Sequence, residues 1–369
     1  MNNPKNKELV FLCGARDFHA MDWYKSAKEL LTDHEVLILT DLIAGEGYKK
    51  LIDHFDKVHR LLILDKLLFK RQSRIGSIWR NALKLLVFPV QVAKIKSFAR
   101  QHPNAVYHAH AMYYLFLAWV AKVPFVGTPQ GSDVLLKPDK NKYFRKYAIN
   151  SMQGAKYVTC DSERMKEKIL SLAGVDARII QNGIDISEIQ KLQNQNRGIR
   201  KMVMSIRGMT SLYRIEEILT ARNSEKDIDI PLTFIYPFSD EDYFLSIKEK
   251  FSNNDKLLGR QDRLTMYQLL IQTKLVISIP KSDSSPRSVY ESIFCGAAVA
   301  VTYNPYYDGL PACMKSRIII VDLDDRDWLS KAIAEADLII QNPFIPSEES
   351  LELFDQKRSF MKMKELLFN

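Results

Sequence analysis

Cysteine is scarce and scattered in this chain. Cys13, Cys160, Cys295 and Cys313 form no CxxC pair and have no histidine partners at zinc spacing. That usage points to a reducing compartment and to no structural metal. Long apolar runs are missing too. The longest, Ala111 to Ala121, is too short to span a bilayer. The opening MNNPKNKELVFLCG lacks a charged stretch followed by a signal-length apolar run. A soluble, cytoplasmic protein is expected. The first apolar run ends in Gly14-Ala15-Arg16-Asp17 and not in GxGxxG, which argues against a dinucleotide-dependent dehydrogenase.

Acidic residues are absent from one long segment. Lys66, Lys70, Arg71, Arg74, Arg80, Lys84, Lys94, Lys96 and Arg100 fall between Lys66 and Gln101 with no Asp or Glu among them. Leu67, Phe69, Ile78, Trp79, Leu85, Leu86 and Phe88 are interleaved with them, in a chain of net charge +9. A basic amphipathic helix of this kind can lie on an anionic membrane surface. Each Lys or Arg near such a surface contributes about 1 kcal/mol. The same pattern also fits a surface helix whose apolar face is simply core. Nucleic acid is not an expected partner, because no stacking aromatics or recognition-helix motif accompany the charge.

What is present is enough apolar material for sizeable cores, 46% of 369 residues, at a length that suits two domains. Short apolar runs alternate with helical patterns. The strand-like runs of the first half are 8–13, 35–39, 105–108, 124–127, 157–160 and 178–180. Polarity rises over 187–200, SEIQKLQNQNRGIR, which reads as a linker. The alternation then restarts at Lys201. The expected division is a first domain over 1–186, the linker, a second domain over 201–346, and a helical tail over 347–369 that returns to the first domain. Repeated alternation of strand and helix predicts an α/β fold with two Rossmann-like, doubly wound parallel sheets facing a central cleft. Ligands of such sheets bind beyond the carboxyl ends of the strands.

One segment carries the chemistry. It follows an apolar run, Lys274 to Ile279, and reads SDSSPRSVYESIFCG from Ser282. Asp283 opens it, Glu291 follows eight positions later, and the small residues Cys295-Gly296-Ala297-Ala298 close it. Pro286 suits the first turn of a helix. Free N–H groups at such a start can hold a phosphate or sugar oxygens, and two carboxylates can accept hydrogen bonds from neutral hydroxyls. A nucleotide-sugar site needs that combination.

With those residues in hand, the chain resembles family 4 of the retaining glycosyltransferases. PFVGTPQGSDV, from Pro124 to Val134, is similar to the family's Gly-Ser-Asp loop. Asp161 to Lys168 and Gln181-Asn182-Gly183-Ile184-Asp185 resemble its SE-helix and NGID pair. Arg207 stands where the family has an Arg after the first strand of the second lobe, and Asp283 to Glu291 matches its E-x7-E spacing with Asp in the first slot. The resemblance implies transfer of a sugar from a nucleotide-diphosphate donor to a hydroxyl of a glycan or lipid-linked acceptor, with retention. Cell-envelope polysaccharide or glycolipid synthesis fits such an acceptor. The diphosphate sugar is a co-substrate, and no cofactor or metal is required. A membrane-associated nucleotide-sugar-binding protein without activity, and a sugar-nucleotide epimerase, are the competing expectations.

The resemblance assigns Arg207, Arg214 and Asp283 to catalysis. Arg207 would clamp the diphosphate. Arg214 and Lys281 would cover for Leu212, which occupies the family's usual Lys slot. Glu291 would accept from the ribose hydroxyls, and Asp283 would hold the donor sugar. Ser285, Arg287 and Ser288 would meet the sugar and diphosphate through backbone N–H groups. Gly14 would let its loop approach phosphate, and Gln130 would touch the sugar where relatives carry His. Arg16, Asp17 and His19 would lie on the acceptor side. His108 and His110 read as either site residues or satisfied hydrogen-bonding histidines, the second being favoured.

Overall fold

The computed structural model describes residues 7–15, 17–41, 57–62, 74–196, 198–224, 230–283 and 285–369. They form two compact units, Met1–Gly183 with Gln356–Asn369, and Ile184–Asp355.

The first unit is built on β1 (Glu8–Leu12), β2 (Glu35–Thr40), β3 (Val58–Arg60), β4 (Val106–His110), β5 (Phe125–Thr128), β6 (Tyr157–Cys160) and β7 (Arg178–Ile179). Their order is β3-β2-β1-β4-β5-β6-β7, with every pairing parallel. Successive side chains of β1 enter different cores. Val10 and Leu12 pack with Leu37, Leu39 and Tyr107, while Leu9 and Phe11 pack with Ile38 and Val126. A parallel strand covered on both faces must be apolar at every position, which is why these segments read as continuous runs.

The second unit repeats the plan. Its strands are β8 (Met202–Ser205), β9 (Leu232–Ile235), β10 (Lys256–Gly259), β11 (Thr273–Ser278), β12 (Ala298–Val301) and β13 (Ile318–Ile320). They lie in the order β10-β9-β8-β11-β12-β13, again all parallel. Val203, Leu275, Ile277 and Ala298 face one core; Met204, Val276 and Val299 face the other. Both units are therefore doubly wound α/β sheets. Strand order reverses between β1 and β4, and between β8 and β11, and those reversals define where a ligand is received.

Three features differ from the sequence expectation. β3 and β10 are edge strands, and their half-exposed residues carry no alternating or continuous apolar signal. Residues 187–200 are not an open linker: Ile186–Gln195 is a helix of the second unit. Asp185 caps it by accepting from Glu188 N at 3.1 Å. Ile186, Ile189 and Leu192 are buried beneath its polar outer face. The tail is two helices, split at Asp355. Glu348–Phe354 belongs to the second unit, and only Gln356–Phe368 belongs to the first.

Phe360, Met363 and Leu367 of the last helix are buried against Leu9, Phe11 and Trp23. Each such side chain contributes about 1.5–3 kcal/mol through burial. The first unit thus depends on a segment remote in sequence. Phe360→Ala is expected to lower unfolding free energy by about 3–5 kcal/mol, as measured by denaturant unfolding. A loss below about 1 kcal/mol would show that this helix docks loosely.

Candidate functional site

In the second unit the site forms at the reversal between β8 and β11. Arg207 leaves the end of β8. Its Nε donates to Ser278 Oγ, at the end of β11, at 2.7 Å. Its Nη2 lies 2.9 Å from Asp283 Oδ2, off the donor axis, so this contact is Coulombic and not a well-formed hydrogen bond. Tyr213 lies against the guanidinium, 5.5 Å from ring centroid to Cζ. Only 11% of the Arg207 side chain is exposed. The Asp283 backbone is held in turn, its N–H donating to Asn304 Oδ1 at 3.2 Å. Gly208 makes room beside the arginine, because a Cβ there would sit 2.3 Å from the Phe238 ring.

The helix Arg287–Phe294 begins after Pro286, which is its N-cap. Glu291 is buried on it. Its Oε1 accepts from Tyr267 Oη at 3.1 Å and from Arg287 Nε at 3.2 Å. Both donors meet the same oxygen. Ser288 Oγ is buried with no hydrogen-bond partner in the first turn. The Arg287 N–H turns back to Ser285 O at 3.0 Å, so that amide is engaged within the loop and is not presented outward as expected. Lys281 is exposed, and its N–H is tied to Leu212 O at 2.9 Å. Arg214 is one of three non-glycine residues with positive φ among those described, at φ 52° and ψ 41°. Its Nε stands 4.0 Å from Glu217 Oε1.

The sequence reading missed three supports here: Ser278, Tyr267 and Asn304. Each is an ordinary polar residue in a strand, helix or loop. Only the Asn at the end of the run after β12 sits where a strand-end polar group draws attention.

In the first unit, polar groups gather at the carboxyl ends of β1, β2, β4 and β5. Asp17 caps the helix Phe18–Leu30, accepting from His19 N at 3.0 Å. Its other oxygen accepts from Gln130 Nε2 and lies 3.4 Å from His110 Nδ1. Burial works against the charge on Asp17, but His110 and His19 outweigh it and bring the carboxyl down to about 2. Gln130, read as a donor contact, and Asp17, read as an acceptor contact, are thus one hydrogen-bonded pair. Gly14 is buried at the end of β1 and its carbonyl closes a turn with Asp17 N at 2.8 Å. The next amide, Ala15 N–H, is already held by Thr40 Oγ1 at 3.1 Å. His19 is exposed, and its carbonyl accepts from Asn182 Nδ2 at 3.0 Å. Arg16 and Ser284 lie outside the described residues.

Asp133 of the Gly-Ser-Asp loop is structural. It accepts from Met112 N at 3.0 Å, which starts the helix Met112–Ala121, and from Lys137 Nζ at 2.6 Å. His108 is fully buried, its Nε2 paired with Thr128 Oγ1 at 2.8 Å and its ring edge-on to Phe11 and Trp23. Burial, with a smaller push from His110, lowers its pKa to about 3. It is a neutral core histidine. Asp41, also buried, accepts from Gln91 Nε2 at 2.9 Å and from Tyr114 Oη, and burial raises its pKa.

Residues 26–188, less than half of the 369, match the family model described as Glycosyltransferase Family 4. That segment contains the Gly-Ser-Asp loop and the Asn182-Gly183 turn. No curated protein matches the chain by sequence. Solved structures share the fold over nearly the whole chain. HepE of Anabaena, in complex with UDP and glucose, has a TM-score of 0.69 at 16% identity, covering 98% of this chain and 99% of that one. Sucrose-phosphate synthase from Thermosynechococcus elongatus has a TM-score of 0.72 at 12% identity, covering 98% of each. The N-terminal domain of Candida albicans trehalose-6-phosphate phosphatase has 0.64 at 12% identity, covering 100% and 98%. The fold is that of the glycosyltransferases with two Rossmann-like domains.

His108 yields a pH prediction. Its folded pKa lies below the ordinary histidine value of 6.5, so the unfolded chain binds the extra proton as pH falls. The stability associated with the neutral ring is complete above about pH 6.5 and declines toward pH 3, by up to about 1.4 kcal/mol per pH unit. His108→Gln is expected to flatten this part of the unfolding free-energy profile, measured by urea titration from pH 7 to pH 4. An unchanged slope would show that His108 is not the group that titrates.

Proposed function

We propose that the protein is a retaining glycosyltransferase that moves a sugar from a nucleotide-diphosphate sugar to a hydroxyl of a glycan or lipid-linked acceptor. One observation carries this: a nearly buried guanidinium, Arg207, fixed at the strand-order reversal of the second sheet beside Asp283, with Glu291 on the helix that follows. Support comes from the family match over the first unit and from a fold shared with HepE, whose structure holds UDP and glucose.

The hard step is departure of the diphosphate. The bond from the anomeric carbon to the phosphate oxygen breaks, a new bond forms to the acceptor oxygen, and the acceptor's proton passes to the departing diphosphate. Arg207 and Arg214 stabilise the leaving charge, and a preorganised donor of this sort contributes about 3 kcal/mol in a site that excludes water. The two arginines supply the positive charge, so the reaction needs no metal. Asp283 offsets the charge of Arg207 until the diphosphate takes over that contact, after which it is available to the donor sugar. Glu291, anchored through Oε1, accepts from the ribose hydroxyls. Ser288 Oγ is a ready donor to the phosphate. Asp17 and Gln130 orient the acceptor side. Cell-envelope polysaccharide or glycolipid synthesis, on the cytoplasmic side of a membrane, is the setting that fits such an acceptor.

Purified protein assayed against a panel of nucleotide sugars, beginning with UDP-glucose, is expected to release nucleoside diphosphate. Arg207→Ala and Glu291→Ala should each lower that turnover by about 10²–10³-fold while circular dichroism stays unchanged. Wild-type turnover in both variants would sink the assignment, and an isomerised nucleotide sugar as product would replace it with an epimerase.

Arg214 allows a sharper separation of strain from function. A left-handed backbone costs a non-glycine residue about 1–2 kcal/mol, so Arg214→Gly should keep stability within about 1 kcal/mol of wild type. Its turnover is nevertheless expected to fall at least about tenfold. Equal turnover in this variant would remove Arg214 from the site.

A further inference from the structure

The helix Arg74–Gln101 presents an outer face that its own unit does not cover. Lys66, Lys70 and Arg71 lie outside the described residues, as do the side chains of Arg74 and Arg80; the described side chains suffice. Gln91, Val92, Ile95 and Phe98 point inward and are buried. Leu85 and Leu86 are 74% and 73% exposed, and Val90 is 49% exposed. Pro89 and Ala93 are exposed on the same face. Positions 85, 86, 89, 90 and 93 follow the helical repeat, so they form one stripe. The stripe continues into exposed Lys94, Lys96 and Arg100. Among the described residues none of those three cations pairs with a carboxylate, and no acidic residue occurs anywhere from 66 to 101.

The stripe also has a defined place in the fold. The helix runs back from the carboxyl ends of the strands before β4 begins. Gln91 reaches Asp41, just beyond the end of β2, at 2.9 Å. Tyr113, just beyond the end of β4, donates to Lys84 O at 3.3 Å, and Lys84 Nζ stands 4.1 Å from the Tyr113 ring. The exposed leucines therefore sit toward the carboxyl end of the sheet, the end beyond which Asp17 and Gln130 lie, and the basic half lies farther from it. Among the described residues no helix is long and apolar enough to cross a membrane.

We propose that this face is a docking surface for an anionic lipid bilayer. Leu85, Leu86 and Val90 enter the boundary between headgroups and acyl chains, while Lys94, Lys96 and Arg100 meet the lipid phosphates. Apolar insertion joined to cationic contact is the combination that holds a helix in an interface, and charge complementarity selects an anionic bilayer over a neutral one. Docking presents the strand-end side of the first unit to the headgroups. The proposal concerns binding alone and stands independently of whether the chain transfers sugar.

Co-sedimentation with vesicles tests it. The full chain is expected to bind vesicles of phosphatidylglycerol and phosphatidylcholine, to release as salt rises, and to ignore pure phosphatidylcholine. The variant with Leu85→Ser, Leu86→Ser and Val90→Ser should lose binding at least about tenfold. A second variant, Lys94→Gln with Lys96→Gln and Arg100→Gln, leaves the apolar stripe intact. It should weaken binding by roughly fivefold for each charge removed and reduce the salt dependence. Three outcomes overturn the proposal: no vesicle binding by the wild type, wild-type binding by the serine variant, or a wild-type dimer that those serines dissociate, which would make the face a contact between copies.

Discussion

The second unit is organised around one guanidinium that cannot be left alone. Arg207 is nearly buried at the reversal of strand order, where uncompensated charge costs several kcal/mol. Ser278 fixes its orientation, Tyr213 covers one side, and Asp283 supplies the opposing charge. That requirement explains why the acid stands at the loop entrance, why Asn304 holds the acid's backbone, and why the position after Arg207 is a glycine that lets Phe238 close in. The loop geometry follows from the need to keep this cation in place with an anion near it.

Other buried or half-buried arginines show what a purely structural role looks like. Arg222 makes a bidentate pair with Asp255, at 2.8 and 3.0 Å. Arg317 donates to the carbonyls of Ile339 and Asn342. Arg200 donates to Leu270, Thr273 and Cys295 carbonyls, and Gly296, at φ +90°, leaves space for it where a Cβ would lie 2.5 Å from Nη2. These forks are held by fixed backbone or bidentate partners. Arg207 meets a hydroxyl and a single off-axis carboxylate contact, so on the proposed function its donors can be re-aimed at an incoming diphosphate without unfolding anything.

The fold was largely legible from the chain because strands covered on both sides must be apolar throughout, and the described strands left that trace everywhere but at β3 and β10. Polarity misled at 187–200, since a helix needs only Ile186, Ile189 and Leu192 on its inner face to be anchored. The candidate site of the second unit was suggested in the chain by the spacing of Asp283 and Glu291. Its supports were not: nothing local marks Ser278 or Tyr267, which act only because β11 and the helix Arg263–Ile271 bring them there. In the first unit, Asp17 and Gln130 are 113 residues apart, and only the adjacency of strand ends makes them a pair. Asp133 was indistinguishable by motif from a ligand residue until its partners proved to be a helix start and a lysine.

The substitution of Asp for Glu at the loop entrance gains a physical meaning from these contacts. With one methylene fewer, the carboxylate of Asp283 reaches Arg207 and lies within a loop whose N–H groups are partly self-satisfied. The cation and its anion are therefore preassembled before any ligand arrives. On the proposed function, the diphosphate replaces one anion with another, so the desolvation of Arg207 does not have to be met again during binding. The cost falls on Asp283, which must then find neutral hydroxyls within its shorter reach. A sugar that offers those hydroxyls close to the diphosphate satisfies both demands. On that proposal, donor choice is set by the reach of one carboxylate as much as by the walls of the site.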